Sequence, residues 1–153
     1  LASGFIAVQS SFPTFINVIV EDHICPNEGC GMYFTDRSVT TLKSVTFKNN
    51  GNSSAGGAII LTANSNATCD SCMFLSNSCY SRGGAIGLFN RAFYSMTNTT
   101  FINNTASTGG CIYATDSSAQ AHYNCTFSNN HAKSHGAAIH ISEYASLFLD
   151  SSS

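Results

Sequence analysis

The feature that most restricts this chain is a recurrence every 26 to 27 residues. A phenylalanine followed three residues later by asparagine occurs as Phe47/Asn50, Phe74/Asn77, Phe101/Asn104 and Phe127/Asn130. A second motif keeps step eight or nine residues downstream: Gly56-Gly57-Ala58-Ile59, Gly83-Gly84-Ala85-Ile86, Gly109-Gly110-Cys111-Ile112 and the weaker Gly136-Ala137-Ala138-Ile139. Degenerate copies, Gly29-Cys30-Gly31-Met32 and Ser3-Gly4-Phe5-Ile6, precede them at the same spacing. A unit of this length cannot close a core alone and buries its apolar face against its neighbours, so the 153 residues read as about five and a half stacked copies. The expected organisation is one segment over 1–153, with degenerate coils in 1–45 and regular coils in 46–153.

Within a unit the apolar period is two. Ile59 and Leu61, Ile86 and Leu88, Ile112 and Ala114, and Ile139 and Ile141 alternate with outward positions, as do Val45 and Phe47, Cys72 and Phe74, Thr99 and Phe101, and Cys125 and Phe127. Period two means strand, and β-branched residues, Gly and Asn stand where helix formers would be needed. A third, less regular stretch is marked by Ala67, Ala92, Ala119 and Ala145. The fold class is therefore all-β: a parallel β-helix, a solenoid of five to six coils of about 27 residues. Equivalent residues stack about 4.8 Å apart in a rod about 27 Å long. Phe47, Phe74, Phe101 and Phe127 form one ladder. Asn50, Asn77, Asn104 and Asn130 form a corner ladder that passes amide hydrogen bonds between coils, and Ile59, Ile86, Ile112 and Ile139 form a third. The glycine pairs supply a turn that a Cβ would obstruct.

Composition narrows the function classes. Only 9% of residues are charged and the net charge is −2, while Ser, Thr and Asn fill 52 positions. Six basic residues scattered along the chain cannot neutralise a phosphate backbone, so nucleic acid is excluded as a partner. The longest apolar run, Phe12 to Val20, is interrupted by Pro13 and Asn17 and falls short of the roughly 18 residues of a membrane span. Leu1 follows no Met and no basic leader, so the chain reads as an internal or processed piece.

The paired GGAI and FxxN motifs resemble the repeats of the chlamydial polymorphic outer membrane proteins, and similar repeats occur in surface proteins of protists and algae. The resemblance covers Phe47 to Ile139 and is poor over the first 45 residues. It implies a right-handed β-helix with adhesive or structural duty at a cell surface, and it carries no catalytic residues. Cys111 replaces the motif alanine in one coil, and Ala137 replaces the second glycine in another.

Seven cysteines point to an oxidising compartment. Cys25 and Cys30 bracket a turn-rich loop that a disulfide can close. One local bridge is expected among Cys69, Cys72 and Cys79, with the pairing open. Cys111 and Cys125 share a coil and are a candidate pair, whereas Cys72 and Cys125 lie two coils apart, about 9.6 Å, beyond the ~7 Å reach of a bridge. An odd count leaves at least one thiol out. Sequons for N-glycosylation stand at Asn52, Asn66, Asn98, Asn103 and Asn124, placed in turns or on outward positions where a glycan can leave the surface.

Candidate chemistry is sparse. Among the acids only Asp116 and Glu143 share a register, and Ala63 and Asn90 occupy that row in earlier coils. His131, His135 and His140 run through a corner, a glycine turn and a strand, and are expected to point apart. Thr46, Thr100 and Thr126 share a register that Met73 breaks, with no second threonine row expected beside it. Cys69-Asp70-Ser71-Cys72 has zinc-like spacing but lacks two further ligands. No enzyme activity, metal or cofactor is expected. Ala145, Leu147 and Leu149 read as the start of a further coil, and open strand ends call for more chain or for copies stacked head to tail. The expected function is a structural, extracellular or cell-surface segment of an adhesin, stalk or filament, carrying N-linked glycans. Its expected partners are neighbouring segments or other copies of itself. The alternative is a carbohydrate-binding or polysaccharide-degrading β-helix, hinted at by Tyr113 and Phe89.

Overall fold

Each regular unit lays down four short strands, one more than the sequence suggested. A computed structural model describes residues 6–26 and 28–153, so the Ser3-Gly4-Phe5 copy of the motif lies outside the described residues. In one coil the strands are Ile59–Leu61, Asn66–Asp70, Met73–Leu75 and Cys79–Arg82. Their equivalents stack in parallel into four sheets of six, six, five and four strands, which make a β-solenoid of about five turns. The first sheet follows the glycine motif and the second has the longest strands. The third carries the Phe row, and the fourth leads back to the glycines.

Register follows the repeat. Phe47, Phe74, Phe101 and Phe127 are direct partners in the third sheet, and Ile59, Ile86, Ile112 and Ile139 in the first. The Phe rings stack with centroids 4.9, 4.7 and 4.9 Å apart and planes within 7° of parallel. The asparagine row is buried at Asn50, Asn77 and Asn104. Asn77 Oδ1 accepts from both the backbone N–H and the Nδ2 of Asn50 at 3.0 Å, and Asn77 Nδ2 donates to Phe47 O at 3.0 Å. Asn104 and Asn130 repeat this pattern one and two coils on. Each amide therefore satisfies the corner N–H of the neighbouring coil and adds a second donor to a Phe carbonyl of the third sheet.

Corners are made by left-handed residues in columns. Asn17, Ser44, Ser71, Asn98 and Asn124 turn the chain between the second and third sheets, and Asp22, Asn49, Ser76, Asn103 and Asn129 between the third and fourth. All are Asn, Asp or Ser, whose short polar side chains ease positive φ. The glycine pair answers two separate demands. Gly56, Gly83 and Gly109 have φ between +56° and +70°, while a Cβ on Gly57, Gly84 or Gly110 would be driven into a backbone carbonyl of the next coil. Ala137 takes that second position where it is exposed.

The alanine-marked stretch is not one row. It is the regular five-residue strand of the second sheet, in which Ala67 aligns with Thr40, Tyr94 and Gln120, while Ala119 aligns with Phe93. The inward positions change residue type from coil to coil, which hid the alternation. The fourth sheet was missed for another reason: its register shifts between Cys79 and Arg82 and again between Ala106 and Thr108, and a bulge scrambles period two.

Candidate functional site

The first sheet and the turn beyond it carry most of the surface chemistry. In five successive coils that turn has two central residues with positive φ: Asp36-Arg37, Ala63-Asn64, Asn90-Arg91, Asp116-Ser117 and Glu143-Tyr144. A backbone bond from the fourth residue to the first closes it, as from Ser65 N to Thr62 O at 3.1 Å and Ser118 N to Thr115 O at 3.0 Å. This is the type I′ turn, and five of them stack into a ridge. Two shallow depressions lie along it, of about 370 Å³ between Asn64, Asn90, Arg91, Asp116 and Ser117, and about 340 Å³ between Ser10, Asp36, Arg37, Ala63 and Asn64. They meet at Asn64. The expected Asp116/Glu143 row is real and extends to Asp36, but Ala63 and Asn90 separate Asp36 from the others, and Glu143 Oε2 accepts from Thr115 Oγ1 at 3.1 Å.

On the outer face of the first sheet, Tyr113 is enclosed. His140 stacks on it at 5.3 Å, Phe89 tilts against it at 5.9 Å and the Arg82 guanidinium lies 5.2 Å from the ring centre, so Tyr113 is only 7% exposed. A ring covered in this way offers no free platform to a sugar. The histidines differ from expectation: His135 and His140 approach to 6.0 Å across the glycine turn, because the fourth sheet ends beside the first. Burial, and then the charge of His135, lower the His140 pKa. His131 is exposed and aligns with Thr105.

Disulfides join Cys25 to Cys30 and Cys69 to Cys72. The candidate pair Cys111 and Cys125 is not formed. Both thiols are free and buried, as is Cys79, because each fills an inward position of its own coil and faces different neighbours. Burial pushes Cys79 up to about 11 and raises Cys111 and Cys125 as well, so these thiols stay protonated and unreactive. Among the described residues no group of three or more His, Cys, Asp or Glu side chains is arranged to hold a metal ion. No described helix is long and apolar enough to cross a membrane.

Residues 2–152 match the family described as "Right handed beta helix region". The chain belongs to the right-handed β-helix family. No curated protein and no solved structure matches it at a significant level. Members of the family include pectate-lyase-like enzymes and non-enzymes, and the fold is consistent with structural or carbohydrate-related roles.

Two features of this β-helix escaped the sequence. The interior of the second sheet is polar near its upper coils: Gln120 Oε1 lies 2.9 Å from His122 Nε2, both side chains are buried, and burial lowers the His122 pKa to about 4. A second threonine row does exist, with Thr14, Thr41 and Thr68 in direct register followed by Ser95, but on a different sheet from Thr46 and Thr100. The five sequon asparagines, Asn52, Asn66, Asn98, Asn103 and Asn124, are all exposed. Asn124 Nδ2 donates to Asn98 Oδ1 at 2.7 Å, so two of them are stacked neighbours.

Proposed function

We propose that this β-helix is a structural segment of an extracellular or cell-surface protein: a stiff spacer of adhesin or stalk type, clothed in N-linked glycans. The observation that carries the reading is the division among asparagines. None of those spent on the internal ladder is the acceptor of an N-x-Ser/Thr sequon, while every acceptor asparagine is exposed. Two disulfides and a charged fraction of 9% agree with an oxidising compartment and with sugars supplying solubility. The closer kinship we infer is with polymorphic outer membrane protein repeats, on the GGAI and FxxN motifs. Secretion of the chain from eukaryotic cells, followed by glycosidase treatment and mass measurement, tests the glycoprotein reading. A loss of mass is expected, and an unchanged mass removes it.

The depressions along the type I′ ridge favour a second reading, carbohydrate binding. Binding measured on immobilised polysaccharides, and abolished by Arg91→Ala or Asn64→Ala, would displace the structural reading in its favour.

A further inference from the structure

We propose that the glycans on Asn52 and Asn66 dock on exposed aromatic rings of the next coil, Tyr80 and Phe93, and that these two sugars, unlike those at the other three sequons, brace the fold. The inference rests on the glycoprotein reading above and adds to it which sites matter and what holds them.

Asn52 sits exposed in a left-handed turn with φ 62°. In the coil above, Cys79 pairs with Ser53 and Arg82 with Ala55, so Tyr80 and Ser81 together oppose Ser54, the hydroxyl residue of the Asn52 sequon. That bulge turns Tyr80 outward, 70% exposed, and its hydroxyl donates to Asn52 Oδ1 at 3.3 Å. An exposed tyrosine ring reaching across a coil toward a sequon has no packing reason to be apolar. Asn66 repeats the arrangement on the second sheet, where Phe93, 38% exposed, is its direct partner in the next coil. The remaining sequons have polar neighbours: Asn98 meets Asn124 and Asp70, and Asn103 aligns with Asn129 and Ser76 in the corner column.

The chemistry is compatible with the geometry. In glycosyl transfer the Asn Nδ2 bonds to the anomeric carbon of a lipid-pyrophosphate-linked sugar. The pyrophosphate carrier leaves with the electron pair of the broken C–O bond, and Nδ2 gives up one proton. Oδ1 remains an acceptor, so the Tyr80 contact survives modification. The first sugar, held beside the ring, can lay its C–H face on the aromatic surface and cover apolar area that is otherwise wet.

The test compares the chain secreted from eukaryotic cells, trimmed to single sugars, with the same chain made unglycosylated in bacteria and oxidised to the same disulfides. Peptide mass spectrometry reads occupancy and thermal unfolding reads stability. Ser54→Ala and Thr68→Val remove the two sequons without touching the asparagines, and Tyr80→Ala and Phe93→Ala remove the rings. In the glycosylated chain each of the four should lower Tm by about 2–4 °C. The losses within each pair should not add, and Tyr80→Phe should keep most of its increment. In the bacterial chain these penalties should disappear, and Thr100→Val, which removes the Asn98 sequon, should cost no more in one host than in the other. Occupied sites whose ring and sequon losses add, or are equal in both hosts, overturn the docking and leave the glycoprotein reading standing. Bare Asn52 and Asn66 beside occupied Asn98, Asn103 or Asn124 overturn the docking alone. No modification at any of the five sites overturns both.

Discussion

Asn103 and Asn104 are neighbours in the chain and opposites in the fold. Asn103 has φ 56° and is exposed at a corner, whereas Asn104 is buried one residue later and bonds its counterparts above and below. The same contrast runs along the molecule. An internal column of Asn50, Asn77, Asn104 and Asn130 ties coils together through buried bonds, and a surface column of Asn17, Ser44, Ser71, Asn98 and Asn124 turns the chain at exposed corners. Position relative to the coil, not residue type, decides whether an amide is structural. The inner column keeps asparagine through four coils because its side chain must both accept and donate in a fixed direction, while the outer needs only a side chain that accepts positive φ.

The sharpest way to break the contrast is to hold the coils apart. A Cβ on Gly84 would strike the carbonyls of Gly110 and Thr105, and Thr105 directly follows Asn104. Gly84→Ala is expected to cost more than about 4 kcal/mol or to abolish folding, checked by urea unfolding under circular dichroism. Next in size is removal of an inner amide. Asn77→Ala takes the shared acceptor from the backbone N–H and the Nδ2 of buried Asn50, at a cost of about 3–4 kcal/mol. Asn98→Ser, which gives the surface column the residue it already has at Ser44 and Ser71, should stay within about 0.5 kcal/mol in unglycosylated protein. Equal costs would erase the distinction between the columns.

A histidine version of the comparison sets buried His122 against exposed His131. Burial holds His122 at about 4, below its ordinary value near 6.5, so the unfolded chain binds more protons between those values. The stability contributed by neutral His122 is complete above pH 6.5 and is lost as pH falls through about 4, up to about 3 kcal/mol. Unfolding free energies measured from pH 7 to 4 should show this slope in the parent and lose it in His122→Leu, while His131→Leu leaves it in place. A smaller effect than that of His122 is expected from reduction of the disulfides, whose sequence separations are 5 and 3 residues. Each should contribute about 2 kcal/mol or less, read as the shift in urea midpoint on adding reductant.

The architecture was legible because stacking in register forces identical chemistry at fixed intervals, and the Phe, Asn, Ile and Gly-Gly rows answer to that demand. What stayed hidden lay where the demand relaxes. The second sheet fills its inward row with Thr40, Ala67, Tyr94 and Gln120, side chains of unlike size that fit only as a set. The fourth sheet is bulged. Cys111 and Cys125 share a coil in sequence arithmetic, yet a coil has a perimeter, and residues 14 apart along it do not face one another. The candidate surface was legible only in part: Asp116 and Glu143 follow from the period, but the approach of His135 to His140 depends on how tightly the glycine turn folds back.

The type I′ ridge accepts Asp36, Ala63, Asn90, Asp116 and Glu143 at one position and Arg37, Asn64, Arg91, Ser117 and Tyr144 at the next, without altering the backbone that carries them. Such a surface can change its lettering while the page stays the same. Evolution, or an engineer, can rewrite ten adjacent side chains along one edge of the rod and leave the interior that keeps it upright untouched.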